Sequence, residues 1–210
     1  MQLKRDERGF TLIEVLITMT LMGVVSLGLA DLVIDALRQM SATSDRLDLA
    51  QDAQLAATYF SRDVAAVGVR DYGAAAAGES LPFKSSVQLD AAYTTEAVCG
   101  PLPVAALRLL SDDWDISATP AVRRTAAVVY YLKPAGEVSE LHRARCVGPA
   151  TTPSSDVLLA ANVKPGSLTV TCSTPCTAAQ VPEAITLRLL MTRPSTGDYE
   201  VVLSGLRRQS

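Results

Sequence analysis

Between Phe10 and Ala30 lie twenty-one residues with a single charge among them, Glu14. Wound as an α-helix at about 1.5 Å per residue, the stretch is roughly 30 Å long, the thickness of a bilayer's hydrocarbon layer. A helix buried inside a soluble domain is the bland alternative. It does not account for the basic-rich leader MQLKRDERG in front, with Lys4, Arg5 and Arg8 against Asp6 and Glu7. Such a leader followed by an apolar run reads as membrane targeting. The positive side chains stay cytoplasmic, which places everything after the apolar run outside. No second stretch of comparable length follows, so a single span is expected.

Two processing routes compete. Gly28-Leu29-Ala30 offers a small-x-small site whose cleavage would release a soluble protein beginning at Asp31. Glu14 argues against that route. A carboxylate in an apolar run costs a few kcal/mol at depth and normally needs a partner. A disposable signal has no use for one.

The local sequence Gly9-Phe10-Thr11-Leu12-Ile13-Glu14-Val15-Leu16 resembles the head of the type IV pilin superfamily, which includes the pseudopilins of type II secretion and competence systems. The resemblance implies that prepilin peptidase cuts between Gly9 and Phe10 and that the new Phe10 amine is N-methylated. It also implies that Glu14 pairs with the N-terminal amine of a neighbouring subunit. The chemistry is consistent with these roles. Gly9 lets the backbone enter a protease site in extended form. Cutting there keeps the membrane anchor. A carboxylate and an ammonium, each costly alone in lipid, relieve one another, so the pair sets register more than it adds stability.

No proline interrupts the chain between Phe10 and Leu81. After Ala30 the pattern turns amphipathic, with Leu49, Ala53, Ala56, Phe60, Val64 and Val67 at spacings of three or four, one face of a helix. The helix is expected to run to about Val67, with Gly68 as its stop. Residues Asp71 to Asp90, rich in Gly, Ala and Ser, read as a loop. Strand candidates follow at Val104–Leu110, Ala126–Leu132, Glu140–Cys146, Ser167–Cys172, Ile185–Met191 and Tyr199–Leu203, with a turn at Lys133-Pro134-Ala135-Gly136. Segments Thr151–Ser155 and Pro194–Asp198 read as surface loops. The fold class is therefore α+β: a long N-terminal helix, apolar half in the membrane, C-terminal half packed on an antiparallel β-sheet head. The organisation is a leader over 1–9, an anchor over 10–30, an amphipathic helix over 31–68 and a globular head over 69–210.

The order of pieces also resembles the PilW/GspJ-like minor pilins and minor pseudopilins. It does so through Phe60-Ser61-Arg62-Asp63-Val64-Ala65-Ala66-Val67-Gly68, Val129 to Leu132, Glu140 to Arg143, Leu158 to Val163 and Pro182 to Leu189. The ending Gly205-Leu206-Arg207-Arg208-Gln209-Ser210 departs from that branch's usual Arg-Asn.

Cys99, Cys146, Cys172 and Cys176 all fall on the extracytoplasmic side, where an even count reads as two disulfides. Of the three connectivities, Cys99–Cys146 with Cys172–Cys176 is favoured because Cys-Ser-Thr-Pro-Cys can close a tight turn. A zinc site would have poor ligand spacing and only His142 to help. His142 reads as a side chain satisfied on the sheet surface. Asp112, Asp113 and Asp115 around Trp114 lack the glycine and distal Glu of a calcium loop and read as a solvated acidic turn.

Half of the residues are apolar (49%) and 20% are charged, which excludes wholesale disorder. A formal charge of -3 argues against a nucleic-acid coat, and losing the leader removes three basic and two acidic residues, leaving -4. Arg123-Arg124, Arg143, Arg145 and Arg207-Arg208 would attract DNA only if the fold gathered them into one patch. No cofactor, metal or catalytic residue is expected. The expected role is a structural subunit of a type IV filament machine, with other pilins, prepilin peptidase and the inner membrane as partners. A filament-tip adhesin or DNA-binding module is the alternative.

Overall fold

The computed structural model describes residues 11–74, 81–91, 99, 105–148, 150, 152–178, 180–193 and 197–209. Among these described residues one helix, α1 (Leu12–Ala65), is followed by ten strands. They are β1 (Val69–Arg70), β2 (Phe83–Lys84), β3 (Val87–Ala91), β4 (Ala105–Asp115), β5 (Val122–Ala135), β6 (Val138–Val147), β7 (Ser155–Val163), β8 (Thr169–Cys172), β9 (Ala184–Arg193) and β10 (Gly197–Leu206). Two compact units divide the chain, residues 1–44 and residues 45–210. The organisation is α+β and pilin-like: a long apolar N-terminal helix, then an antiparallel sheet.

Within residues 45–210, the last turns of α1 lie on one face of an eight-stranded sheet ordered β10-β9-β7-β6-β5-β4-β3, with β8 also paired to β9. The apolar stripe read at spacings of three and four is the buried one. Leu49, Ala56, Phe60, Val64 and Val67 are buried and Ala53 packs against the same cluster. Leu107, Leu109, Val128, Tyr130, Leu141, Leu187, Leu189, Val201 and Leu203 meet them from the strands. Period two along β9 puts Ile185, Leu187, Leu189 and Met191 inward. On this face β10 approaches the helix so closely that a Cβ on Gly205 would lie 2.5 Å from the Cβ of Val64.

The helix ends at Ala65 because its last carbonyls find other partners. The amides of Ala66 and Val67 return to the carbonyls of Asp63 and Val64, the Arg208 amide donates to the Ala65 carbonyl, and the Gln209 side-chain amide donates to the Ala66 carbonyl. Residues 208 and 209 thus cap a helix more than 140 positions earlier in the chain. Gly68 then turns the chain at φ +139°, and a Cβ there would meet the Phe83 ring at 2.6 Å. That ring is held between the guanidiniums of Arg70 and Arg207, so it has little room to yield. Gly68→Ala is expected to lose about 2–3 kcal/mol through backbone strain and overpacking together, seen as a lowered urea midpoint with unchanged slope.

The span from Asp71 to Asp90 is not a loop throughout: β2 and β3 lie within it, β3 pairing with β4 from Val87↔Leu109 to Ala91↔Ala105. Ser155 opens β7 instead of closing a loop, and Gly197 and Asp198 begin β10. The β5–β6 hairpin turns at Gly136-Glu137, leaving Lys133, Pro134 and Ala135 in the ladder. β7 escaped the alternation test because it is bulged. Its register on β6 shifts on either side of Leu141, with Asn162 at φ 58°. A bulge takes an N–H out of the ladder. The Ala161 amide instead donates to Asp52 on α1 at 3.1 Å, so the irregular strand is tied to the helix it covers.

Candidate functional site

The helix begins at a cap. The amide of Glu14 donates to the Thr11 carbonyl at 3.0 Å and approaches its hydroxyl at 3.4 Å, while the Val15 amide donates to the same carbonyl. Thr-x-x-Glu ahead of an apolar run is a helix-start signature. Thr11 was therefore legible in the sequence as the N-cap. Glu14 itself stands exposed in the first turn, where the helix dipole favours a negative charge. Gly9 and Phe10 lie outside the described residues.

From Leu12 to Met40 the large apolar side chains are exposed, Leu12 at 82% and Met22 at 70% among them. It is the one helix among the described residues long and apolar enough to cross a membrane. Its hydroxyls suit that setting. Thr18 donates to the Val15 carbonyl, and Thr20 donates to those of Leu16 and Ile17, so both polar groups are satisfied inside the helix.

In the head the structure gathers a buried constellation that the sequence concealed. Asp63, in the last turn of α1, accepts the Tyr130 hydroxyl at 2.6 Å and a two-pronged donation from Arg143, Nε and Nη2 both at 2.6 Å. Asp63 and Arg143 are each 7% exposed. Tyr130 packs edge-to-face on Phe60, and Arg143 lies over the Tyr59 ring. Burial, with the Asp63 charge adding to it, pushes the Tyr130 phenol well up, so it remains a donor. Burial works to lower the Arg143 guanidinium, but the hydrogen bonds and charge of Asp63 outweigh it and hold it above its ordinary value. One carboxylate thus locks the helix terminus to β5 and β6 at a set register. Nothing in the spacing of Asp63, Tyr130 and Arg143 announces this, because the contact exists only once helix and sheet have met.

Both disulfides are formed, Cys99–Cys146 and Cys172–Cys176. The first closes a separation of 47 residues and pins Cys99 onto the outer face of the sheet, in a small cluster with Ala105, Val129, Tyr131 and Ala144. In the chain-entropy view such a loop stabilises by about 4 kcal/mol, the four-residue one by about half that. His142 lies on that same outer face, stacked on Tyr131, with Nε2 3.1 Å from Glu140 and Nδ1 3.2 Å from Asp156. Its two carboxylates sit on opposite ring nitrogens, which orients the ring without converging on a metal. Among the described residues no cluster of His, Cys, Asp or Glu has the arrangement of a metal site.

The acidic segment is not a solvated turn. Asp112, Asp113 and Asp115 are the last residues of β4, and the strand persists past its apolar part because the arginines of β5 neutralise it. Arg123 meets Asp112 at 3.2 Å and Arg124 meets Asp115 at 2.6 Å, each diagonal to its Cα partner across the ladder. The Ser117 hydroxyl and amide, followed by Arg124, hold the Asp115 carboxyl below the usual range. Asp113 also lies 3.4 Å from Arg145. Of these arginines, Arg123, Arg124, Arg143 and Arg145 each face an aspartate and Arg207 stacks on Phe83, while Arg143 and Arg145 also line one cavity beside the end of α1.

No curated protein matches the chain, and no solved structure does. Residues 4–30 match the family model of the prokaryotic N-terminal methylation motif, which is type IV pilin-like. That motif and the uncovered apolar helix behind it point to a membrane-anchored, single-pass prepilin-type protein.

Proposed function

We propose that the chain is a minor pilin or pseudopilin, a non-enzymatic subunit of a type IV filament machine. It enters the membrane as a prepilin, is cleaved after Gly9, is N-methylated at Phe10 and assembles through its N-terminal helix. The observation that carries the reading is a methylation motif over residues 4–30 joined to a helix whose large apolar side chains from Leu12 to Met40 are exposed among the described residues. Burying such a surface against neighbouring helices is the work an anchor of this kind performs, first in lipid and then in a filament. The uncovered carboxylate of Glu14 gives that burial an axial position. A head tied to the end of α1 by Asp63, Tyr130 and Arg143 suits a subunit that presents a surface of its own near a filament's tip or priming complex.

The mature N-terminus tests this directly. Mass spectrometry of protein recovered from membranes of cells with a prepilin peptidase is expected to find N-methyl-Phe10 as the first residue. A start at Asp31 would instead identify a secreted protein released after Gly28-Leu29-Ala30. Gly9→Val is expected to leave the leader in place, and normal processing of that variant would count against the proposal.

A further inference from the structure

Beside the end of α1, a cavity of about 370 Å³ opens among Tyr59, Arg62, Leu109, Val128, Arg143 and Arg145. Its charge is lopsided. Three guanidiniums line it against one carboxylate, Asp63, and both oxygens of that carboxylate are already taken by Tyr130 and Arg143. Asp63 engages Arg143 through Nε and Nη2, which leaves Nη1 outside the fork. Arg62 is exposed and has no ion-pair partner among the described residues. Arg145 has a single longer contact with Asp113 at 3.4 Å, its side chain 42% exposed. Beside the arginines the lining is apolar: Arg143 lies over the ring of Tyr59, Val128 is the cross-strand neighbour of Arg145, and Leu109 adds to the same lining.

We propose that this cavity binds a small organic anion, a carboxylate or phosphate head on a short apolar body. Guanidiniums hold such oxyanions by charge-assisted, forked hydrogen bonds. The body would lie along the Leu109 and Val128 wall, giving the site both a charged end and an apolar one. Size selects a free solute over a macromolecular segment. The volume is at the small end of ligand clefts, and a helix about 10 Å across does not enter it. The Asp63–Arg143 pair keeps one guanidinium fixed, so part of the site is organised before the ligand arrives. The proposal concerns the head alone and stands or falls independently of the filament role.

The test is calorimetric titration of the full chain in nonionic detergent at low ionic strength, with hexyl phosphate as the probe and hexanol as its uncharged counterpart. Hexyl phosphate is expected to bind saturably with Kd of about 0.1–1 mM, and hexanol is not. The double variant Arg62→Gln/Arg145→Gln is expected to weaken binding at least about tenfold while leaving the buried Asp63 network intact. Arg62→Gln alone, at an exposed position with no carboxylate to hold, is expected to weaken it less and in the same direction. Circular dichroism and thermal melting of both variants report that the head is folded. Saturable binding that the charge-removing variants weaken supports the site. No saturable binding, equal binding of hexanol, or full affinity in the folded double variant overturns it.

Discussion

Replacing Asp63 with alanine is expected to lower the stability of the head by about 3–5 kcal/mol, the usual loss when one member of a buried ion pair is removed. The reason is not the strength of the pair taken by itself. Arg143 is 7% exposed, and without its partner a guanidinium is left in that setting uncompensated. The Tyr130 hydroxyl, fully buried on the core face, loses its acceptor in the same step. Asp63→Asn keeps the shape and an acceptor for Tyr130 but leaves Arg143 uncompensated, so its cost is expected to fall between alanine and wild type. The apolar pair Asp63→Leu/Arg143→Met removes both charges and is expected to recover most of the loss. Urea unfolding of the four proteins, compared by their extrapolated stabilities, checks this. A cost for Asp63→Ala within about 0.5 kcal/mol of zero, typical of a surface change, would show that the network is not structural.

Glu14→Val is expected to insert into the membrane at least as well as the wild type and to fail at assembly, dropping from the sheared filament fraction by more than tenfold, about 1.4 kcal/mol or more. Two magnitudes decide this. A carboxylate well inside the hydrocarbon costs about 2.5–3.5 kcal/mol on insertion scales, so its removal eases insertion. A favourable place in the first turn of a helix returns only about 0.3–1 kcal/mol. The helix therefore does not by itself offset the charge, and the proposed assembly role supplies the remainder by pairing Glu14 with a cation of a neighbouring subunit. Glu14→Gln separates the two contributions. It keeps a hydrogen-bonding side chain in the first turn but no longer neutralises an ammonium, so it is expected to fail like valine. Fractionation of membrane and filament pools with an antibody to the head reads the result. Normal assembly of the glutamine variant would remove the charge-pairing role from Glu14.

How much of this was legible in advance varied with the range of the interaction. The buried face of α1, from Leu49 through Phe60 to Val67, was readable because helix periodicity is local. The cap at Thr11 was equally readable in principle, being a matter of three residues' spacing. Strands with clean alternation, such as Ile185–Met191, stood out for the same reason. β7 did not, because its bulges shift successive side chains out of period. The end of β4 read as an acidic turn, since Asp112, Asp113 and Asp115 are charged. Only the facing strand shows that Asp112 and Asp115 each have an arginine diagonally across.

The head's buried network was the least legible. Asp63 lies in the Phe60-to-Gly68 segment and Arg143 in a separate strand, eighty positions apart, and the two meet only through the packing of α1 on the sheet. Residues 208 and 209 capping α1 are a contact of the same kind.

From the order of residues alone came the apolar anchor with its one acid, the amphipathic continuation of the helix, and a strand-rich remainder, since each rests on patterns a few residues long. The tertiary structure alone decided which charges are neutralised, which carboxylate is buried, and where a cavity lined by arginines is left open. Those outcomes depend on distances between segments far apart in the chain, and such distances come into being only when hydrophobic burial brings helix and sheet together.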